Sequence, residues 1–65
     1  MTAKERLIKA LNTHSEELAR EMEALAKNPG DTETRERVRK LVNRDFGKHA
    51  ALVYETITAV VDKPG

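Results

Sequence analysis

Cysteine is absent from this 65-residue chain, which excludes disulfides and thiolate metal sites as supports for the fold. A chain this short leaves a large share of its surface exposed even when folded, so we expect a thin core. Small domains without covalent or metal supports are commonly stabilised by association with another chain. The composition therefore points to oligomerisation.

Long apolar runs are absent too. The sequence contains no run of about 18 apolar residues and no basic segment followed by an apolar one near its start,. We expect neither a membrane span nor a secretory signal, and a cytoplasmic location is the default expectation.

Aromatic residues and unbalanced charge are scarce. Phe46 and Tyr54 are the only aromatic residues, so stacking platforms for bases or flat cofactors are nearly missing and no cofactor is expected. The 12 Lys and Arg residues face 11 Asp and Glu residues, which gives no general attraction to nucleic acid or membranes. No Ser-His-Asp motif or glycine-rich phosphate loop is visible, and we expect no enzymatic activity.

The first part of the chain predicts an amphipathic helix over about 3–27. Thr2 and Glu5 fit a capping box, in which each side chain bonds a backbone N–H that the helix start leaves unpaired. A stripe with spacings of three and four follows, as on one face of a helix. The stripe consists of Leu7, Leu11, His14, Leu18, Met22 and Leu25. Thr13 and Glu16 repeat the capping-box pattern, so a kink or break there is an alternative.

The segment 28–31 predicts the turn of a hairpin. Proline disfavours helix at Asn28, and Pro29-Gly30 suits the middle of a type II turn. Asp31 or Thr32 can cap the helix that follows.

The second part of the chain predicts a helix over about 32–62, followed by a tail over 63–65. Its stripe consists of Val38, Val42, Phe46, His49, Val53, Ile57 and Val60. The phase of this stripe does not slip across Gly47, which favours one continuous helix. The alternative is a break near Gly47 that gives three helices, because glycine is a common C-cap residue.

These elements predict an all-α fold, a single-domain antiparallel two-helix hairpin. Helices of about 25 and 31 residues would be roughly 38 and 46 Å long. Two such helices bury only one stripe each, too little to offset the entropy lost by the ordered residues. We therefore expect a homodimer that forms a four-helix bundle.

The open end of this hairpin is the predicted dimer or partner interface. Apolar residues cover nearly every direction of the segment 50–61, and such a segment needs neighbours on more than one side. The predicted interface residues are Leu7, Ile8, Leu11, Leu52, Val53, Ile57, Val60 and Val61. The alternative is an apolar helix end in a lone monomer.

A polar layer is predicted halfway along the hairpin, where His14, Asp45 and His49 lie at similar distances from the turn. One interpretation is a hydrogen-bonded core layer that fixes helix register. Another interpretation places the histidines at the solvent-exposed edge of the apolar stripe. A third is a metal site, although two helices supply only these three ligands.

A row of basic residues, Arg37, Lys40, Arg44 and Lys48, lies on one side of the second helix. Such a row can contact phosphates or other anions, and it is the candidate nucleic-acid surface. The alternative is a solvated face balanced by Glu33 and Glu36.

In length and layout the chain resembles the Rop family of plasmid RNA-binding regulators, helical hairpins that dimerise into four-helix bundles. It also resembles the two-helix co-chaperones of type III secretion needle subunits. No shared motif carries either resemblance, so no functional residues are transferred. We expect a non-enzymatic helical interaction module that self-associates. The alternatives are a nucleic-acid-binding regulator and a co-chaperone or antitoxin-like subunit stabilised by a partner protein.

Overall fold

The structure, a computed structural model, describes residues 2–62. These residues form helices and contain no strand, which confirms the predicted all-α class. The α-helices are α1 (Ala3–His14), α2 (Glu16–Lys27), α3 (Thr32–Phe46) and α4 (Ala50–Asp62), with a 3-10 turn at Gly47–His49 between the last two. The predicted tail over 63–65 lies outside the described residues.

The start of α1 is the predicted capping box. The Glu5 backbone N–H donates to the Thr2 hydroxyl at 3.2 Å, and the Thr2 N–H donates to the Glu5 carboxylate at 3.4 Å. Both groups would otherwise be unpaired at a helix start, so the cap fixes where α1 begins.

The first predicted helix is interrupted at Ser15, so one continuous helix over 3–27 is wrong, and the alternative with a break between Thr13 and Glu16 fits the structure. Ser15 has an extended backbone, with φ −156° and ψ 113°, and its hydroxyl accepts the Leu18 N–H at 3.2 Å. A serine cap satisfies a donor that a helix break exposes, which lowers the cost of the break. The Thr13 hydroxyl instead donates to the Lys9 carbonyl at 3.3 Å, within α1.

The predicted turn joins α2 to α3, but it is not type II. The Asp31 N–H donates to the Asn28 carbonyl at 3.0 Å, which closes the turn. A type II turn needs a positive φ at its third residue, and Gly30 does not have one,. The Asp31 carboxylate accepts the N–H groups of Glu33 and Thr34 at 3.1 and 3.3 Å and so caps α3, as predicted.

The second predicted helix ends at Phe46 and restarts at Ala50, which fits the alternative with a break near Gly47. Gly47 has φ +52° and ψ −117°, a conformation that glycine adopts far more readily than other residues,. The break changes the phase of the buried stripe. In α4 the buried residues are Ala50, Ile57 and Val61, whereas the predicted Val53 and Val60 are half-buried.

The two breaks fold each half of the chain back on itself. Glu5 and Lys27 line the same groove, so α1 and α2 lie side by side. Arg35 donates to Asp62 at 2.9 Å and to the Pro29 carbonyl at 2.9 Å, which fastens the end of α4 to the start of α3. The chain measures 30 × 25 × 19 Å, so the predicted elongated hairpin is wrong.

Folding back gives a single chain a shared core. Within residues 2–62, ten apolar residues are buried: Leu11, Leu18, Ala19, Met22, Leu25, Val38, Val42, Ala50, Ile57 and Val61. The radius of gyration is 10.6 Å, close to the roughly 11 Å expected for a globular chain of this length. The layout of two long helices that underlies the family resemblances is therefore not present. No helix within residues 2–62 has the length and apolar character needed to cross a membrane.

Candidate interaction surface

An open, mostly apolar groove runs between α1 and α4; we call it the α1–α4 groove. Its two parts have volumes of about 450 and 270 Å³ and share Leu7, Ala10 and Thr56. The complete lining is Ala3, Arg6, Leu7, Ala10, Leu11, His14, Phe46, Leu52, Val53, Thr56 and Val60. Among these lining residues, Arg6 alone carries a full charge. A surface of this character favours contact with another apolar surface.

The walls of the α1–α4 groove owe their shape to small residues on α1 and to Leu52 on α4. Ala3 and Ala10 are spaced along α1 so that both lie on the side of the helix that lines the groove,. Leu11 lies on the neighbouring, buried side. Leu52 is 66% exposed and is the only large hydrophobic residue exposed within residues 2–62. The Thr56 hydroxyl donates to the Leu52 carbonyl at 2.9 Å, so it needs no partner from outside.

The predicted interface residues fall into three groups. Leu11, Ile57 and Val61 are buried in the core of the single chain. Leu7, Ile8, Val53 and Val60 are half-buried against that core, and Leu52 is exposed. Most of the surplus apolar surface expected at the chain ends is therefore covered by the fold-back, and the remainder is concentrated at the α1–α4 groove.

Ile8 faces a different groove, which lies between α1 and α2. This groove has a volume of about 620 Å³ and a floor that includes Ile8, Ala19 and Ala26. Its rim carries both signs of charge, with Glu5, Lys9, Arg20, Glu23 and Lys27. The α1–α2 groove is thus larger than either part of the α1–α4 groove but far more charged.

The three residues of the predicted polar layer lie near the surface of the single chain. His14 and His49 are both exposed, which matches the interpretation that places the histidines at the wet edge of the stripe. The His14 ring contacts the Phe46 ring edge to face, with centroids 5.7 Å apart. Within residues 2–62, no group of three or more His, Cys, Asp or Glu side chains is arranged to hold a metal ion.

Asp45 is held as a carboxylate by its neighbours. The Arg44 Nε atom donates to Asp45 Oδ1 at 3.0 Å. This hydrogen bond is the main reason that the pKa of Asp45 lies below the ordinary aspartate value, and Ser15 and His14 lower it further. Asp45 therefore forms its ion pair with the neighbouring Arg44 at the end of α3.

Two of the four residues of the basic row are neutralised across the α2–α3 contact. Arg37 Nε lies 2.9 Å from Glu21 Oε2, and Arg44 Nη1 lies 2.9 Å from Glu17 Oε1. Lys40 and Lys48 are exposed and form no ion pair within residues 2–62. A phosphate approaching this face would have to compete with two carboxylates, which reduces the attraction expected from a basic row.

Sequence reasoning missed both carboxylate partners and part of the α1–α4 groove. Glu17 and Arg44 lie at similar distances from the hairpin turn, as do Glu21 and Arg37. Matching residues at equal distances from the turn would therefore have predicted both ion pairs. No comparable signal marked Ala3 or Ala10. Alanine on an exposed helix face is indistinguishable from a good helix former at a solvated position.

No protein-family model matches this chain, and comparison with curated proteins and with solved structures found no similar protein.

Proposed function

We propose that the chain is a non-enzymatic helical interaction module that self-associates through the α1–α4 groove. In the proposed homodimer, α1 and α4 of the two copies form a four-helix bundle around the joined grooves. The observation that carries the proposal is the exposure of Leu52: its side chain is 66% exposed beside an apolar groove. A second copy of the chain presents both the projecting leucine and the groove that receives it.

The energetics favour the insertion of Leu52 into the groove of the second copy. Fully burying an exposed leucine side chain is worth about 1.5–3 kcal/mol; Leu52 is 66% exposed, so each of the two leucines in a two-fold dimer contributes up to about two thirds of that value. The contact is self-complementary, as a two-fold interface requires, because the same patch supplies knob and hole. The small side chains of Ala3 and Ala10 leave room for a helix to approach closely.

The core of this chain does not require a second copy. A thin two-helix hairpin would need a second chain to fold, but ten apolar residues are buried within this chain alone. Self-association is therefore proposed as a property of one surface, and the monomer is expected to stay folded when diluted.

The test compares Leu52→Lys with Ala24→Lys by sedimentation velocity over a dilution series. Both variants add a lysine at an exposed helical position, and Ala24 lies on α2, outside the α1–α4 groove. Leu52→Lys should raise the dimer dissociation constant at least tenfold, since it replaces the projecting side chain with a charge. Ala24→Lys should leave the constant unchanged. Equal effects of the two variants, or no dimer in the wild type, would overturn the proposal.

A further inference from the structure

The two helices that border the α1–α4 groove carry opposite net charge. Helix α1 has three basic residues and one acidic residue, Lys4, Arg6 and Lys9 against Glu5, which gives +2 from Lys, Arg, Asp and Glu; Arg6 lines this groove, and Glu5 and Lys9 line the α1–α2 groove. Helix α4 has Glu55 and Asp62 and no basic residue, which gives −2, and Asp62 is paired with Arg35 of α3. A surface divided in this way discriminates between the orientations in which a second copy can pack on it.

Arg6 and Glu55 are the charges best placed to make this choice. Both are exposed, and neither forms an ion pair within residues 2–62. Arg6 lines the same part of the groove as Thr56, and Glu55 precedes Thr56 in α4. The two charges therefore lie at about the same level along the groove, on the two helices that border it.

A two-fold axis in the interface plane has two simple orientations relative to the groove. With the axis along the groove, equivalent residues of the two copies lie at the same position along the groove, but the two sides are exchanged. Helix α1 of one copy then covers α4 of the other. With the axis across the groove, the sides are not exchanged, but the direction along the groove is reversed. Helix α1 then covers α1 of the other copy, and α4 covers α4. The first orientation joins helices of opposite net charge, and the second joins helices of like net charge.

We infer that two copies pack with the two-fold axis along the α1–α4 groove, so that Arg6 of each copy faces Glu55 of the other. This inference rests on the proposed self-association and adds its orientation. Each α1 then has an α4 on both sides, its own and that of the second copy, and every neighbouring pair of helices in the bundle is antiparallel. The partner surface is thus a second copy of this chain, recognised by charge as well as by apolar contact.

The experiment measures the dimer dissociation constant of Arg6→Glu, Glu55→Arg and the double variant by sedimentation velocity at low salt. Each single reversal turns two attractive contacts into repulsive ones and should weaken the dimer about tenfold, which corresponds to about 1.4 kcal/mol. The double variant should regain wild-type affinity. An equimolar mixture of the two single variants should also regain it, because both contacts in the mixed dimer again join opposite charges.

Two controls make these outcomes specific. Arg20→Glu makes the same charge change on α2, where Arg20 lines the α1–α2 groove instead, and it should not weaken the dimer. The differences between variants should shrink at high salt, which screens exposed charges. Circular dichroism of each variant confirms that the chain is folded.

The failure of the orientation and the failure of self-association give different results. A wild-type chain that stays monomeric removes the proposed function and this inference with it. A wild-type dimer whose affinity is unchanged or increased in both single variants overturns only the orientation, since an axis across the groove does not bring Arg6 opposite Glu55. Single variants that weaken the dimer without recovery in the mixture also overturn it.

Discussion

The ring of His14 lies against the ring of Phe46, with centroids 5.7 Å apart and planes inclined at 65°. His14 is the last residue of α1 and Phe46 is the last residue of α3, so the contact joins the two points at which the predicted long helices break. The ion pair between Arg44 and Glu17 crosses the same region at 2.9 Å. The breaks at Ser15 and Gly47 are therefore neighbours in space, and each half of the chain folds back from this place.

The break at Gly47 can be tested by a substitution that changes the free energy of unfolding in opposite directions for a broken and a continuous helix. Gly47→Ala should lower the free energy of unfolding by about 1–3 kcal/mol, because a side chain is strained at φ +52° even though nothing crowds the position,. Gly30→Ala is the matched control, with no positive φ and open space around it, and should be nearly neutral or slightly stabilising. Urea unfolding followed by circular dichroism measures both variants. Stabilisation by Gly47→Ala would instead indicate a continuous helix, in which alanine is the better residue.

The break at Ser15 is tested in the same way. Ser15→Ala should lower the free energy of unfolding by about 0.5–2 kcal/mol, since the Leu18 N–H loses its acceptor,. In a continuous helix, the same substitution would improve helix propensity and stabilise the chain. Thr13→Ala is the control, because the Thr13 hydroxyl only donates back to Lys9 within α1. It should cause no loss of stability.

The ion pair between Arg44 and Asp45 predicts that the stability of the chain depends on pH. In the folded chain the pKa of Asp45 is lowered, first by the hydrogen bond from Arg44. A carboxylate with a lowered pKa contributes stability above its unfolded value, about 3.9, and this contribution is lost as the pH falls through the folded value. Arg44→Gln should therefore raise the pKa of Asp45 towards the ordinary value and reduce the loss of stability below about pH 4.

The carboxyl carbon shift of Asp45, followed by NMR during an acid titration, measures this change directly. Lys40→Gln is the matched control, since it removes a cation from the same helix without touching Asp45. An Asp45 titration that is equally displaced by both variants would contradict the assigned role of Arg44.

Local chemistry made the ends of the helices predictable. The Thr2 and Asp31 caps, the helix end at Lys27 and the restart at Thr32 each follow from side chains within a few residues. Such signals are strong because they satisfy backbone groups that would otherwise remain unpaired. The buried residues Leu18, Met22 and Leu25 also follow the predicted stripe.

The two breaks were harder to predict because the signals conflicted. The stripe through Val42, Phe46 and Val53 keeps its phase across Gly47 and so favoured one helix. In the structure α4 uses another phase and buries Ala50, Ile57 and Val61. Both phases are available because α4 is apolar in nearly every direction, and only the packing of the folded-back chain selects between them. The α1–α4 groove is a product of that packing, although five of its lining residues, Leu7, Leu11, Leu52, Val53 and Val60, belong to the interface predicted from the apolar pattern.

The mass of the wild-type chain in solution, measured by light scattering across a dilution series, tests the central claim most directly. Self-association through the α1–α4 groove predicts a molar mass that rises with concentration from 7.3 kDa to twice that value, with helical content retained after dilution. A helical chain that stays at 7.3 kDa from micromolar to millimolar concentration would contradict the claim.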